Sequence, residues 1–497
     1  MPDDHKSLNE IIRFRKEKLD TLRERGVNPY PHKYTPTHTS ADVLENYDTL
    51  EEKDVTVAGR IMALRKMGKA SFFHIQDMGG RIQVYIKRDD VGEDSYANFK
   101  KMDIGDIVGV MGFPFTTKMG EKSIHAKEFT VLAKSIRPLP VVKEKDGETF
   151  DAFEDKELRY RNRHLDLIVN PEVKDVFVKR AKIISTIRQY LDNLEFLEVE
   201  TPVLQPLYGG ANARPFTTHH NALDQKLYLR IADELYLKRL IVGGIDRVYE
   251  LSKDFRNEGM DKNHNPEFTM LEFYWAYADN GDNMELVEDM IRKTAEAVDA
   301  VSVNWHGNEI DLSKPFVRKP LLNLLKEATG QDLGSASEEE MKKICKAHNI
   351  DVEDTANYGQ MLDELMSELV EPKLIQPTFV TDYPKAISPL AKAHRNGNPD
   401  LVERYELFIG GAEFVNSFTE LNDPIDQRER LEAQAKLREK GDEEAQPVDE
   451  NFIQAMECGM PPTGGVGLGI DRLTMLLTEQ NTIKDVILFP AMRTVDE

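Results

Sequence analysis

The sequence predicts an α+β protein. A small five-stranded β-barrel precedes a larger domain, in which an antiparallel sheet is flanked by helices and carries a helical insertion. The first observation is a set of short β-rich runs with glycine-containing turns over residues 54–136. The second is that the rest of the chain combines long amphipathic helices with strand-like runs in hairpin patterns. The length of 497 residues is typical of two to four domains.

An amphipathic helix is predicted over residues 7–26. Ser7 followed three positions later by Glu10 fits a capping box, and Gly26 fits a C-terminal stop. The helix either packs on the next domain or contacts nucleic-acid phosphate through its basic side chains, which are Arg13, Arg15, Lys16 and Lys18. Residues 1–50 are therefore predicted to be this helix with a lead-in to the barrel.

The barrel is predicted for residues 51–140, and the oligonucleotide-binding (OB) fold is one of the few barrels of that size. Gly79-Gly80 between two β-rich runs indicates a hairpin. Residues 59–90 contain seven Lys or Arg residues against three Asp, interleaved with Phe72, Phe73, His74 and Tyr85. This combination is typical of a surface that stacks the bases of single-stranded nucleic acid, although alternate aromatic residues also fill barrel cores.

A polar linker is predicted at residues 141–157, and the second domain at residues 158–497. This domain begins with a helix from Pro171 to Leu194 and a strand in FLEVETPVL that ends at Pro202. Residues 282–376 are polar and strongly helical. We predict that they form a helical insertion with no chemistry of its own.

The formal net charge of −23 does not exclude a nucleic-acid partner. Salt screens surface charges beyond about 8–10 Å, so a local basic face still binds a polyanion. No apolar run approaches the ~18 residues of a membrane span, and the first residues lack a signal peptide, so we expect a cytoplasmic protein. Cys345 and Cys458 lie far apart, which argues against a disulfide framework or a cysteine-rich zinc site.

Polar candidate residues occur in a predicted hairpin of the second domain. RVYELSKDFRNEG and EFTMLEFYWAY flank a polar loop, and the second run places Phe268, Met270, Glu272 and Tyr274 on one face. A glutamate such as Glu272 among apolar neighbours is costly unless it meets a cation or a donor. The planar guanidinium of Arg256 suits phosphate, although structural ion pairs are the alternative for either residue alone.

Two more segments carry candidate residues. Glu406 and Glu413 offer oxygen ligands for Mg²⁺, which usually binds one or two carboxylates together with substrate phosphates. A glycine-rich run at 464–469 allows close approach of a ligand, and Arg472 opens the helix that follows. The sequence contains no GxxxxGK[ST], HExxH, GxSxG or paired CxxC motif, and no GxGxxG between a strand and a helix.

The chain resembles the class II aminoacyl-tRNA synthetases, and among them the bacterial-type lysyl-tRNA synthetases of class IIb. FLEVETPVL is similar to the first motif of the class, a helix–strand unit at the dimer interface. FRNEG with HNPEFTMLE is similar to the second motif, and GVGLGIDRL to the third. GGANARPFTTHHNALDQKLYLRIADELYLKRL and AEFVNSFTELNDP resemble the lysine member rather than its aspartate and asparagine relatives.

The resemblance implies an enzyme that ligates L-lysine to tRNA(Lys) with ATP through a lysyl-adenylate, with Mg²⁺ as cofactor, as a homodimer without a membrane partner. Arg256 and Arg472 are implied as catalytic residues that hold the α- and γ-phosphates of ATP, and Phe268 as the residue that stacks on adenine. The other residues implied near ATP are Glu258, His264, Asn265 and Glu406. The implied metal ligands are Glu406 and Glu413.

The resemblance also implies a lysine pocket and a tRNA-binding barrel. The implied pocket residues are Gly210, Glu234, Glu272, Tyr274, Asn416, Phe418 and Glu420. The pocket makes independent chemical sense, because three glutamates answer a compact ammonium group with three donors. In the family the barrel reads the anticodon, and the candidates for that contact are Arg65, Phe72 and Gln83.

Three alternatives stay open. An aspartate or asparagine relative would need cations where the predicted pocket has three glutamates. A ligase that attaches lysine to elongation factor P would lack the barrel. A non-catalytic paralogue would typically have lost motif arginines or metal carboxylates, whereas Arg256, Arg472, Glu406 and Glu413 are all present.

Overall fold

The computed structural model describes residues 7–140, 143–145, 148–150, 153–353, 356–439 and 447–494. The chain divides into two compact units, Met1–Pro171 and Glu172–Glu497, which we call the N-terminal and the C-terminal unit. Among the described residues, no helix combines the length and the apolar character that crossing a bilayer requires.

The N-terminal unit contains short helices around five long strands. Its helices are α1 (Leu8–Glu24), α2 (Ser40–Glu45), α3 (Tyr47–Leu50), α4 (Arg88–Val91), α5 (Glu93–Lys100), α6 (Lys156–Arg161) and α7 (Arg163–Val169). Its strands are β1 (Val55–Lys66), β2 (Ala70–Gln76), β3 (Arg81–Lys87), β4 (Ile107–Thr116), β5 (Lys122–Ala133), β6 (Lys143–Lys145) and β7 (Glu148–Phe150). The predicted linker at 141–157 contains β6, β7 and the start of α6, together with residues outside the described ranges.

The first five strands close into a barrel in the order β1-β2-β3-β5-β4, which confirms the predicted five-stranded barrel. Side chains alternate along the strands, and the inward set forms a core that includes Val57, Phe73 and Val84. The predicted hairpin turn is also confirmed. Asp77 Oδ1 accepts hydrogen bonds from the N–H groups of Gly79 and Gly80 at 2.8 and 3.1 Å.

Helix α1 has the predicted capping box, in which Ser7 and Glu10 bond to each other's backbone N–H groups. Gly26 follows the helix with a φ of +77°. Arg15, a candidate for phosphate contact, is only 8% exposed. Its guanidinium donates to the carbonyl oxygens of Ile104 and Ser135 at 3.0 and 3.1 Å. For this arginine the phosphate interpretation is wrong, because its donors bond to backbone carbonyls within the N-terminal unit.

The C-terminal unit is a mixed α and β structure. Its helices are α8 (Glu172–Asn193), α9 (Glu234–Val242), α10 (Asn280–Ala297), α11 (Leu321–Thr329), α12 (Glu338–Ala347), α13 (Tyr358–Leu369), α14 (Pro424–Glu439), α15 (Glu450–Glu457), α16 (Ile470–Leu477) and α17 (Ile483–Val486), with 3₁₀ turns at Glu371–Lys373 and Lys385–Ile387. Its strands are β8 (Leu197–Glu198), β9 (Leu204–Gln205), β10 (Thr217–His220), β11 (Gln225–Leu229), β12 (Arg247–Phe255), β13 (Glu267–Ala276), β14 (Ser302–Trp305), β15 (Asn308–Asp311), β16 (Val317–Pro320), β17 (Thr378–Thr381), β18 (Arg404–Ile409), β19 (Ala412–Thr419) and β20 (Thr463–Gly469).

Eight of these strands form one sheet in the order β16-β17-β18-β19-β20-β13-β12-β8. The pairs are antiparallel except at the two edges, where β16 pairs with β17 and β8 with β12 in parallel. Leu271 and Phe273 of β13 face the main apolar core, together with side chains of α8, α10 and α16. Since successive side chains alternate, Phe268, Glu272 and Tyr274 point to the other face of the sheet.

The predicted helical insertion at 282–376 is only partly helical. Helix α10 contributes Val287, Met290 and Ile291 to the core of the main sheet, so it is part of the principal fold. Residues 302–320 contain the strands β14, β15 and β16. Helices α11, α12 and α13 contribute to a second cluster of buried side chains, which also includes Val380 of β17 and Phe408 of β18. The prediction missed the β14–β15 hairpin, whose tight turn lies at His306 and Gly307, both with positive φ.

The predicted strand in FLEVETPVL is also shorter than expected. Only Leu197 and Glu198 join the sheet, beside Val248 and Tyr249 of β12. The predicted domain boundary at residue 158 falls within α6, and both α6 and α7 group with the N-terminal unit.

Candidate active site

A cavity of about 460 Å³ opens on the face of the sheet that the main core leaves free. Strands β13, β18, β19 and β20, helix α9 and the loop between β12 and β13 contribute its lining. All the residues predicted to bind ATP, lysine or metal line it: Gly210, Glu234, Arg256, Glu258, His264, Asn265, Phe268, Glu272, Tyr274, Glu406, Glu413, Asn416, Phe418, Glu420 and Arg472. The structure therefore brings together residues that are spread over more than 260 positions of the sequence.

One end of the cavity is strongly acidic. Glu234 and Glu420 are 5% and 0% exposed, and the ammonium of Lys238 contacts a carboxylate oxygen of each. Burial raises the pKa of both glutamates, and the positive charge of Lys238 opposes that rise. Burial lowers the pKa of Lys238, but the two carboxylates outweigh it and the pKa is raised. The three groups are thus one buried charge cluster.

Glu272 on β13 lies in the same acidic end. Its carboxylate accepts hydrogen bonds from the Asp233 N–H at 3.3 Å and from the Tyr274 hydroxyl at 3.1 Å. Burial raises the pKa of Glu272 well above its usual value, and the charges of Asp233 and Asp254 add to the effect. Carboxylate oxygens of Asp233, Asp254 and Glu272 lie within 4.8 Å of one another. Such an end attracts a cationic group, because each added positive charge relieves repulsion between carboxylates.

Two glycines make room for this arrangement. A Cβ at Gly465 would lie 2.0 Å from Glu420 Oε1 and 2.5 Å from Tyr274 Cε1. Gly210 has a φ of +88°, and a Cβ there would lie 3.0 Å from the Cβ of Glu234. The glycine-rich strand β20 therefore lets the carboxylate and the phenol approach the backbone closely.

For the activity that the resemblance implies, Gly465→Ala is expected to lower kcat/KM for lysine about tenfold to a hundredfold, from an overpacking cost of ~1–3 kcal/mol. The added methyl group would push Glu420 or Tyr274 out of place. The measurement is lysine-dependent ATP–pyrophosphate exchange. Gly467→Ala on the same strand is the matched control, since its Cβ would meet the flexible end of Met270 at 3.3 Å and the backbone oxygen of Asn416 at 3.8 Å, an ordinary contact. Equal losses in both variants would contradict the expected role of Gly465.

The guanidinium of Arg404 links two residues of the cavity lining, Asn416 and Glu406. It donates to Asn416 Oδ1 at 3.0 Å and to Glu406 Oε1 at 2.5 Å, and it lies over the ring of Tyr383. The Tyr383 hydroxyl donates to Glu406 Oε2 at 2.7 Å. Burial raises the pKa of Glu406 to about 7, while Arg404 opposes the rise and Glu413 adds to it. Each oxygen of Glu406 is therefore fixed by a donor.

The other end of the cavity is cationic and aromatic. The guanidinium of Arg256 lies 5.0 Å from the ring centroid of Phe268, and its buried Nε has no hydrogen-bond partner among the described residues. Arg472 donates to the carbonyl oxygen of Glu413 at 2.5 Å and lies 3.2 Å from His264 Nε2. Two guanidinium groups beside a stacking ring suit a nucleotide with several phosphates.

The barrel of the N-terminal unit carries a second candidate surface, on the outside of its strands. The rings of Phe72 and Tyr85 lie 5.0 Å apart, and Tyr85 contacts His125 at 5.0 Å. We call the set Phe72, Tyr85, Phe113, Phe115 and His125 the aromatic face. Arg65 is exposed opposite Phe72 in the strand register. Gln83 donates to Glu121 at 2.6 Å. Phe73, in contrast, is a core residue.

Two family models match the chain. The one described as tRNA synthetases class II (D, K and N) matches residues 155–493, and the one described as OB-fold nucleic acid binding domain matches residues 55–132. The lysine–tRNA ligase of Carboxydothermus hydrogenoformans is 52% identical over 99% of this chain and 100% of the relative. Those of Pelotomaculum thermopropionicum and Porphyromonas gingivalis are 52% and 51% identical, over 98% of this chain and 95% and 86% of the relatives.

The chain belongs to the class II lysine–tRNA ligase family. This membership confirms the predicted class and the predicted OB barrel, and it covers both units of the structure. For this member of the lysine–tRNA ligase family, the roles of individual residues stay predictions. The geometry of the cavity makes them testable.

Sequence reasoning missed several residues that shape the site. The candidates did not include Lys238, Arg404 or Asp233, although each of these residues contacts a candidate residue. Asp471 was missed as well: it accepts from the Thr269 N–H at 2.7 Å and pairs with Arg180 at 2.6 Å, which ties β13 to α16 beside Arg472. The spacing of Glu234 and Lys238, one helical turn apart, was the only local signal for such a partner.

Proposed function

We propose that the cavity of the C-terminal unit is where this chain joins lysine to ATP and then passes the lysyl group to tRNA(Lys). The chain is a lysine–tRNA ligase by family, and its substrates are lysine, ATP and tRNA. The observation that carries the proposal is the division of one cavity into an acidic end and a cationic, aromatic end. An amino acid with an extra ammonium fits the first, and a nucleoside triphosphate fits the second.

Lysine is recognised by the acidic end. Glu234, Glu272 and Glu420 face its two ammonium groups, with the Tyr274 hydroxyl next to Glu272. Phe418 and Asn416 line the wall along the aliphatic part, and Gly210 leaves space beside Glu234. An aspartate or asparagine substrate would bring a carboxylate or an amide to this end, where the buried carboxylates would repel it or leave it unpaired.

ATP occupies the other end. Arg256 holds the α-phosphate and Arg472 the γ-phosphate, while Phe268 stacks on adenine with Glu258, His264 and Asn265 nearby. Glu406 and Glu413 would hold Mg²⁺, because both carboxylates line the cavity and Glu413 Oε2 lies 3.8 Å from Arg472 Nη1. The ion, when bound, would neutralise charge on the phosphates of ATP.

The reaction requires placement rather than a covalent nucleophile. A carboxylate oxygen of lysine attacks the α-phosphorus of ATP, the bond to the leaving pyrophosphate breaks, and lysyl-adenylate forms. A ribose hydroxyl at the end of tRNA then attacks the lysyl carbonyl carbon and gives its proton to a phosphate oxygen of the AMP, which leaves with the bonding electrons. Arg256 stabilises the charge that develops on the transferring phosphoryl group, which is the main contribution expected from a preorganised site.

The test is amino-acid-dependent ATP–pyrophosphate exchange with each of the twenty standard amino acids. Exchange with lysine alone would support the proposal. Exchange with aspartate or asparagine instead, or with no amino acid, would reject it.

The aromatic face of the barrel is proposed to bind the anticodon. Phe72 would stack on a base, and Arg65 and Gln83 would contact base edges. The proposed anticodon-binding domain covers residues 51–140, after a lead-in at 1–50 and before a linker at 141–157. The proposed catalytic domain covers residues 158–497.

Phe72→Ala is expected to raise KM for tRNA(Lys) about tenfold to a hundredfold, because a stacked base contributes ~1–3 kcal/mol. Pyrophosphate exchange, which needs no tRNA, should not change. The measurement is steady-state aminoacylation beside exchange. Met119→Ala is the control, since Met119 is a fully exposed apolar side chain of the same barrel. Unchanged charging by Phe72→Ala would reject the stacking role.

A homodimer and a cytoplasmic location complete the proposal. FLEVETPVL resembles the dimer motif of the class. Three of its apolar side chains are exposed: Leu197 at 52%, Val203 at 39% and Leu204 at 49%. A second subunit would cover them. Sedimentation at micromolar concentration tests the dimer. The location rests on the role of the family in translation.

A further inference from the structure

A cation that belongs to the protein lies behind the acidic end of the cavity, in contact with two of the glutamates that line it. Lys238 is 0% exposed and lies one helical turn after Glu234 on α9. Its ammonium pairs with Glu234 Oε1 and with Glu420 Oε2. The rings of Phe418 and Phe452 lie 5.4 and 5.9 Å from the same nitrogen. A buried ammonium in this setting is held firmly, because leaving either charge unpaired would be costly.

The remaining oxygen of each glutamate is on the side of the cavity. Glu234 Oε2 is the oxygen near Gly210, and Glu420 Oε1 is the oxygen near Gly465. Both glycines line the cavity. Within the described part of the chain, Glu420 Oε1 has no hydrogen-bond donor. Lys238 thus engages one oxygen of each carboxylate, and the other oxygen of each lies beside a glycine of the cavity lining.

We propose that Lys238 is a positioning residue that fixes the distance between two ammonium subsites, one at Glu234 and one at Glu420, and thereby selects the chain length of the diamino acid. The inference rests on the proposed function, since it assumes that these glutamates bind the ammonium groups of the substrate. It adds a residue that contacts no substrate atom but sets the geometry of two residues that do.

The physical reason is mutual repulsion. Without the ammonium of Lys238, two buried carboxylates would move apart or take up a proton, and the oxygens that face the cavity would lose their fixed separation. Lysine holds its two ammonium groups at a distance set by four methylene groups, and ornithine has one methylene fewer. A rigid pair of subsites discriminates against the shorter chain, typically by about 10–200-fold for one methylene.

The test compares Lys238→Met with the parent chain in ATP–pyrophosphate exchange. Methionine keeps the length of the side chain and removes the charge. KM for lysine is expected to rise about tenfold or more, as for loss of one partner of a buried ion pair. KM for ATP should stay within about twofold of the parent value, since a substitution outside the ATP end of the cavity has a small effect on ATP binding. The preference for lysine over ornithine in kcat/KM is expected to fall about tenfold.

Lys293→Met is the matched control. Lys293 also pairs with an acid one turn earlier, Asp289, and lies over a tyrosine ring, but it is 54% exposed and outside the cavity. Lys238→Gln is the second variant: it keeps a donor for one carboxylate and is expected to show a smaller loss than Lys238→Met.

An unchanged lysine-to-ornithine preference in both Lys238 variants would overturn the proposal. So would a parallel loss of ATP binding, or failure of both variants to fold, since each would assign Lys238 to general stability. A parent chain without lysine-dependent exchange would reject the proposed function instead, so the two failures are distinguishable.

Discussion

Arg256→Ala is expected to lower kcat for lysine-dependent ATP–pyrophosphate exchange about a thousandfold or more, as for arginines that stabilise a transferring phosphoryl group. The guanidinium lies over the Phe268 ring, and its Nε has no partner among the residues that the structure describes. That donor is therefore not engaged by another described residue, and the guanidinium lines the cavity. Because charge on the phosphoryl oxygens grows in the transition state, the loss should fall on kcat more than on KM for lysine.

Arg247→Ala is the matched control for this variant. Arg247 begins the same strand, β12, and its guanidinium lies 5.3 Å from the ring of Trp275, but it is outside the cavity. Its replacement should change exchange by no more than about twofold. Near-normal exchange by Arg256→Ala, or similar losses in both variants, would exclude a role for Arg256 at the α-phosphate.

Glu420→Gln should lower kcat/KM for lysine about a thousandfold, because truncating one member of a buried charge pair costs ~2–5 kcal/mol. The substitution keeps size and shape but removes the charge that meets both Lys238 and the substrate ammonium. Of its two carboxylate partners, Lys238 would keep the one at Glu234. KM for ATP should change little, since Glu420 lies in the acidic end and Arg256 in the other.

Exchange assays over a range of lysine concentrations measure this effect. Glu267→Gln is the control, because Glu267 is an exposed residue of β13 that does not line the cavity. A Glu420→Gln variant with the KM of the parent chain would show that the ammonium groups bind elsewhere. The same result would also remove the basis for the role of Lys238.

Much of the site follows from local sequence patterns. Alternation along β13 correctly places Phe268, Met270, Glu272 and Tyr274 on one face. The glycine-rich run predicts a close approach, which Gly465 provides. These patterns suffice because strand periodicity is a property of neighbouring residues.

The rest of the site depends on contacts that no local pattern records. Lys238 and Arg404 acquire their importance only when α9, β18 and β19 meet around the cavity. Helix α10 looks like part of an insertion because its exposed side is polar, and only the packing of Met290 and Ile291 under the sheet assigns it to the core. Charge clusters and layer membership are therefore read from the fold rather than from the sequence.

The two-sided character of β13 limits how the gene can change. A single-residue insertion or deletion in the middle of this strand would reverse the faces to which the following side chains point. Glu272 and Tyr274 would then face the apolar core, and Leu271 and Phe273 would face the cavity side of the sheet. Such an indel would abolish folding and activity together. Length variation among homologues should therefore be concentrated in the connecting loops, and β13 should keep a constant number of residues.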